Sequence, residues 1–220
     1  FFQTGIGLNT SVGLAKQVGE NTQVKANYSY LRDEGFTPDL VDGSSSNNYT
    51  RQNFSLGANT KLDNGISING TFNFVDSDRL TPPIGTSDGS GPTFDSDPSL
   101  FSDVLYTPRS IDLFCLLFQS ELDNSQTYYR QTSQITNPLW TLNNAKDTEE
   151  VNRFFGNINL GYNFTDDLSI NYRISLDKYT QFNNRLLNKG GNQFRDGLLS
   201  SSTYNTTIID NLLSLNYDRQ

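Results

Sequence analysis

RFFGNINLGYNFTDDLSINYRISLDKYTQF, residues 153–182, contains two runs of alternating apolar and polar side chains on either side of Thr165-Asp166-Asp167. The apolar side chains fall on even positions in both runs: Phe154, Ile158, Leu160, Tyr162 and Phe164, then Leu168, Ile170, Tyr172, Ile174 and Leu176. Because successive side chains of a strand point to opposite faces, this stretch predicts a hairpin with one apolar face and one polar face. Each run has about a dozen residues, more than the roughly 5–6 usual in soluble sheets and enough to cross a membrane. A hairpin of a soluble sandwich would show the same pattern.

The alternation predicts five more strands outside this hairpin. Their approximate bounds are Gly5–Lys16, Thr22–Arg32, Thr50–Leu62, Ile66–Asp76 and Thr206–Tyr217. In the last of them the apolar Leu213, Leu215 and Tyr217 fall on odd positions, which indicates only an odd offset in the preceding loop. The connections after the first, third and fifth strands are short turns, whereas those at about 33–49, 77–150 and 183–205 are long. Outer-membrane barrels sort short periplasmic turns and long extracellular loops in this way, and a soluble sandwich has no physical reason to do so.

Composition favours the barrel over a soluble domain. Hydrophobic residues make up only 34% of the chain and aromatic residues 12%. A thick dry core needs more apolar material, whereas a barrel with a watery lumen needs apolar side chains only on its lipid face. The chain contains no run of about 18 apolar residues that would form a transmembrane helix. We therefore expect an all-β fold, part of a large transmembrane antiparallel β-barrel with long extracellular loops.

Charge and residue types exclude several function classes. The net charge of −8 disfavours a nucleic-acid partner. The absence of histidine removes histidine-based triads and the commonest metal ligand. The single cysteine, Cys115, cannot form an internal disulfide, and we expect it to be a small buried hydrophobe. The sequence predicts neither an enzyme nor a cofactor.

The long connection 77–150 carries the candidate contact residues. Arg109 and Asp112 suit either an ion pair that braces the loop or a contact with cargo, and bracing is favoured. Tyr128 and Trp140 have the flat amphipathic rings that stack on sugars, although packing of the loop onto the barrel mouth is the favoured alternative.

An apolar segment lies in the same connection. The end of Leu105–Gln119, LYTPRSIDLFCLLFQ, suits a short helix. Its apolar residues, with Leu117 the candidate contact, would form a patch if exposed, and such patches mark contacts. We expect this segment to be covered by the barrel's own lumen or by a partner, and the sequence leaves both open.

Four stretches resemble SusC/RagA-type TonB-dependent outer-membrane transporters of Bacteroidota. They are YSYLRDEGFTPDL at residues 28–40, RQNFSLGANTKLDNGISINGTFNFVDSD at 51–78, TPRSIDL at 107–113 and NPLWTLNNAKDTEEVNRFFGNINLGYNFTDDLSINYRISLDKYT at 137–180. The resemblance implies a 22-stranded barrel in the bacterial outer membrane, plugged by an N-terminal domain and lidded by a SusD-like surface lipoprotein. It also implies TonB-driven import of oligosaccharides or peptides, with TonB acting through the plug region.

On this basis, residues 1–220 are expected to be a fragment of one barrel domain. Because unpaired strand edges are not tolerated in hydrocarbon, the remaining strands are expected in sequence outside it. The resemblance implies that the plug lies outside it too. The expected partners are outer-membrane lipid, the SusD-like lipoprotein, TonB and those remaining strands. Two other hypotheses stay open: a structural or assembly subunit of a larger outer-membrane machine built on a SusC-like barrel, and a soluble β-rich binding module.

Overall fold

The computed structural model describes residues 1–84, 99–127, 135–165, 167–191 and 195–218. They form one seven-stranded sheet in which every strand pairs with its sequence neighbour and all pairs are antiparallel. The strands are β1 Ile6–Val18, β2 Thr22–Glu34, β3 Asn48–Lys61, β4 Ile66–Thr81, β5 Ala145–Asn163, β6 Leu168–Leu187 and β7 Leu198–Tyr217. The described helices, α1 Leu100–Leu105 and α2 Pro138–Asn144, both lie in the connection between β4 and β5. The prediction of an all-β antiparallel fold is confirmed.

Strands β2 to β7 extend further toward the long connections than the sequence predicted. β6 reaches Leu187 and β7 begins at Leu198, so the predicted loop 183–205 shrinks to 188–197. The other long connections likewise become 35–47 and 82–144 instead of 33–49 and 77–150. The added residues are mostly polar on both faces, so the sequence shows no alternation of apolar and polar residues there. The backbone ladder needs no apolar side chain to continue.

The register keeps the apolar face continuous across the sheet. From β1 to β6 every even residue pairs with an even residue, as Leu56 does with Phe72 and Ile158 with Ile174. Between β6 and β7 the parity changes, because Leu176 pairs with Ile209. The even residues of β1–β6 and the odd residues of β7 therefore share one face, as the sequence predicted.

The connections between consecutive strands lie alternately at the two ends of the sheet. The tight turns 19–21 and 62–65 and the short connection between β5 and β6 lie at one end, called the turn end, and the long connections lie at the other, the loop end. Gly65 closes the second turn with φ of 84°, a conformation that glycine adopts without strain. No helix among the described residues is long and apolar enough to cross a membrane.

Most of the buried apolar residues lie outside the sheet; among the strand residues, Ala145 and Leu187 at the loop end are the buried apolar ones. Leu40, Leu100, Leu113, Leu139 and Leu142 form one cluster contributed by the connections at the loop end. The sheet itself has an uncovered face, and the edge strand β1 is exposed along its whole length. The structure is therefore an open sheet with a small packed body at one end.

Candidate functional site

The apolar face ends sharply on the side of the loop end. Tyr28, Phe54, Phe74 and Phe154 are paired across β2–β5 and form a continuous aromatic row. Phe72, one position nearer the turn end on the same face, stacks on Phe154 with ring centroids 6.1 Å apart. On that face, the next positions toward the loop end carry Tyr30, Gln52, Asp76 and Asn152, and the positions after those carry Arg32, Thr50, Asp78 and Glu150. Aromatic side chains thus separate an apolar zone from a charged one.

We call the apolar zone the apolar band. The band ends toward the loop end at one residue on each strand. From β1 to β7 these residues are Ile6, Tyr30, Phe54, Phe74, Phe154, Leu176 and Ile209. Beyond them on this face only Leu80, Phe182, Leu186 and Leu199 are large and apolar; Leu80 and Phe182 have polar cross-strand partners, and Leu186 pairs with Leu199. The band is uncovered by the described residues: the side chains of Leu14 and Leu213 are 71% and 66% exposed.

The opposite face, the polar face, carries a row of carboxamides near the turn end. Gln17, Gln23, Asn59, Asn69 and Asn159 are paired one to the next across β1–β5. Carboxamides both donate and accept hydrogen bonds and carry no charge. This carboxamide row therefore offers neutral polar contacts along the wall.

Nearer the loop end the polar face carries ion pairs between neighbouring strands. Arg153 forms a bidentate pair with Asp177, with nitrogen–oxygen distances of 2.9 and 2.6 Å. Arg185 pairs with Asp147 at 2.9 Å and Arg79 with Glu149 at 3.3 Å. The last two pairs line a cavity of about 380 Å³ together with Asn183, Ser200 and Ser202. The cavity combines balanced charge with hydroxyl and amide groups.

The packed body at the loop end, which we call the cap, consists of residues 35–47, 99–127, 135–144 and 188–191. Backbone Val41 donates to Asn143 Oδ1 at 3.0 Å, which ties the first segment to α2. Backbone Asn188 donates to the Asn144 carbonyl at 2.8 Å, which ties the last segment to the end of α2. All three connections at the loop end therefore converge on α2.

Trp140 packs where these connections meet, and neither face of its ring is free to stack on a sugar. Its side chain is only 2% exposed, and its Nε1 donates to the Asn124 carbonyl at 2.9 Å. Gly191 lies against the six-membered ring so closely that a Cβ there would come within 2.6 Å of it. The interpretation of Trp140 as a stacking residue is therefore wrong, and the packing alternative holds.

Arg109 and Asp112 do not form the predicted bracing ion pair. Arg109 is exposed and makes no ion pair among the described residues. Asp112 instead accepts hydrogen bonds from the Cys115 thiol at 3.2 Å and from backbone Phe114 at 3.1 Å, and these lower its pKa. Such bonds compete with helix formation, and residues 113–115 form a turn rather than the predicted short helix. Cys115 is exposed, not buried, because its side chain belongs to this surface turn.

The apolar segment is divided between core and surface. Leu113 is 7% exposed in the cap core, whereas Leu117 is 71% exposed. Leu117 lines a groove of about 270 Å³ with Val41, Phe114, Leu116 and Leu139, which we call the cap groove. Asp39 also lines it. The described residues leave Leu117 uncovered, so its role as a partner contact stays a prediction. Tyr128 lies outside the described residues.

The α1–α2 contact buries a carboxyl that no sequence pattern indicates. Asp103 in α1 is fully buried, and its Oδ2 accepts a hydrogen bond from Thr141 Oγ1 of α2 at 3.3 Å. Burial raises the pKa of Asp103 to about 8, although hydrogen bonds from Thr141 and backbone Thr136 oppose this shift. An acid in the first turn of a short helix ordinarily interacts with the helix dipole at the surface, so the sequence contained no signal of burial.

No group of three acidic or cysteine side chains among the described residues is arranged to hold a metal ion. No protein-family model matches the chain, and no curated protein matches it.

Proposed function

We propose that this chain contributes seven consecutive strands to a SusC/RagA-type outer-membrane barrel that imports oligosaccharides or peptides. The observation that carries the proposal is the apolar band. The described residues leave it uncovered, it crosses every strand, and on β2–β5 an aromatic row followed by polar and charged residues bounds it on the side of the long connections. Lipid-facing surfaces of outer-membrane barrels have such a band, flanked by aromatic side chains at the membrane interface.

The polar face supports the same proposal. In a barrel it lines the lumen, where the carboxamide row and the interstrand ion pairs stay hydrated. Neutral amides and balanced charges suit polar cargo such as sugars and peptide groups, because they supply hydrogen bonds without a strong charge preference.

The cap groove is the proposed seat of a SusD-like lipoprotein. It lies at the end that we place outside the cell, and its exposed leucines and phenylalanine form the kind of patch that marks protein contacts. TonB would act through a plug region, and the remaining strands would close the open edges β1 and β7, which hydrocarbon does not tolerate.

Neighbouring residues on opposite faces test the membrane placement. Leu160→Arg and Ile170→Arg put a cation on the apolar band, where it costs roughly 2–4 kcal/mol near the bilayer midplane. Asn159→Arg and Asn171→Arg put the same cation on the polar face one residue away. We expect the first pair to lower the yield of assembled protein in the outer membrane strongly and the second pair to leave it near wild type. Equal yields for both pairs would contradict the proposed lipid face.

Uptake tests the transport function itself. The intact protein should support entry of labelled oligosaccharides or peptides, and uptake should stop when TonB is deleted. Normal membrane assembly with no cargo entry for either class would favour the assembly-subunit hypothesis.

A further inference from the structure

The α1–α2 contact buries an ionisable group with an incomplete set of partners. Asp103 is fully buried, and its Oδ1 has no hydrogen-bond partner within the described residues. The other oxygen accepts from Thr141, which is itself fully buried in α2, and backbone Thr136 also donates to the carboxyl. A neutral carboxylic acid is tolerated in such a place, whereas an ionised one is strongly disfavoured unless it is fully paired.

Among the described residues, no charge on the surrounding elements compensates Asp103. Apart from Asp103, α1 and α2 contain no titratable side chain, and neither do residues 1–4 and 135–137. The segments that complete the cap core carry Asp39, Asp42, Asp112 and Cys115, and all four are exposed at the surface. Tyr106 and Arg109, which follow α1, are exposed as well.

The α1–α2 contact also holds the rest of the cap together. Leu100 of α1 and Leu142 of α2 are members of the cap cluster. α2 runs directly into β5 at Ala145 and carries Trp140, which holds the connection to Gly191. Separating α1 from α2 therefore opens the cap core while the sheet keeps its ladder.

We propose that the α1–α2 contact is a proton-operated latch, closed while the Asp103 carboxyl holds its proton and released when the proton is lost. The pKa of about 8 in the closed cap lies above the ordinary value of 3.8. The closed cap therefore binds more protons than the open one between these values, so its stability falls as pH rises from about 4 to about 8 and then levels off. The cap is most stable near pH 4 and least stable from about pH 8 upward.

In the proposed transporter, the latch would make opening of the cap at the extracellular end depend on external pH. This consequence depends on the proposed function, but the latch itself does not.

Hydrogen exchange of the intact protein tests the latch. Protection of the amides in residues 100–105 and 138–144, corrected for intrinsic exchange, should fall by up to about tenfold per pH unit below pH 8 and then become constant. Amides of β3 and β4 in the apolar band serve as the internal reference and should show no such slope. A flat profile for α1 and α2 between pH 5 and pH 8 would overturn the proposal.

Two variants locate the effect. Asp103→Asn should abolish the slope, and Asp112→Asn, which changes an exposed carboxylate of the same cap, should retain it. A slope that persists in Asp103→Asn would assign the titration to another group and overturn the latch. Should Asp103→Asn fail to assemble, Thr141→Val is decisive: it removes the donor to the charged form, so the decline should extend to a higher pH than in wild type. An unchanged plateau in Thr141→Val would contradict the assignment.

Discussion

At the scale of single residues, Gly156 of β5 shows how closely the apolar face is packed. A Cβ at this position would overlap the Thr71 carbonyl oxygen and lie 2.9 Å from Phe72 Cδ1. The overlap with a ladder carbonyl cannot be relieved by a rotamer change. Gly156 therefore lets the ring of Phe72 pass over the strand toward Phe154.

We predict that Gly156→Ala destabilises the protein by about 1–3 kcal/mol, the usual range for overpacking. Gly57→Ala is the matched control, because the nearest atom to its new Cβ lies 3.8 Å away. Urea unfolding of both variants in detergent measures the difference. Equal urea midpoints for the two variants would mean that β4 and β5 shift enough at this position to accommodate the added methyl group.

A second prediction concerns the thiol of Cys115, which is exposed yet bonded to Asp112. The hydrogen bond and the negative charge of Asp112 raise the thiol pKa. Since the thiolate is the reactive species, Cys115 should react slowly with iodoacetamide at pH 8, and Asp112→Asn should accelerate the reaction several-fold. Asp123→Asn, at another exposed cap carboxylate, should leave the rate unchanged. A rate in Asp112→Asn no faster than in wild type would show that the contact with Asp112 does not govern the thiol.

The residue patterns that the sequence predicted are those that repeat along one strand. Leu160 and Asn159 could be assigned to opposite faces because a strand alternates with period two. Asp103 could not be placed, because its surroundings depend on a segment far away in the chain. It is buried by α2, more than thirty residues later.

At the scale of elements, the strands were predicted in the right number and order but too short. The missing part of β6, up to Leu187, lies beyond the aromatic row, where both faces are mostly polar. Alternation in hydrophobicity reports one-sided burial rather than hydrogen bonding, so it stops where the apolar band stops. The cap was missed as a unit because its leucines come from separate connections.

The cap groove leads to an element-scale prediction. Leu117→Asp adds a charge to the groove without touching the core residue Leu113, so assembly should be normal while co-purification of a SusD-like lipoprotein is lost. Leu122→Asp is the control, because Leu122 is 97% exposed and does not line the groove. Normal co-purification of the Leu117 variant would remove the groove from the interface, and failed assembly would make the segment internal packing.

At the scale of the whole molecule, the two ends of the sheet should lie on opposite sides of the membrane. In a Cys115→Ser background, we predict that Leu122→Cys at the cap is labelled on intact cells by an impermeant maleimide. Asn64→Cys, in an exposed turn at the other end, should be labelled only after lysis. Labelling of both positions on intact cells, or of Asn64→Cys alone, would contradict this orientation.

The edge of the apolar band follows one hydrogen-bonded row through Phe54, Phe74 and Phe154, but from β1 to β7 as a whole it runs obliquely across the rows. Cross-strand pairs can be followed from either edge of the sheet to β5, which gives a common scale. The edge residue of β1, Ile6, is connected in this way to Thr148, whereas the edge residue of β7, Ile209, is connected to Gly156. The edge therefore slips about eight residues over six strand-to-strand steps, or about 26 Å along the strands against about 29 Å across them. A membrane surface is flat, so an edge that follows it at this slope requires the strands to lean about 40° from the membrane normal. Strands of outer-membrane barrels lean by about 35–45°, and polarised infrared spectroscopy of the protein in oriented bilayers would measure this angle.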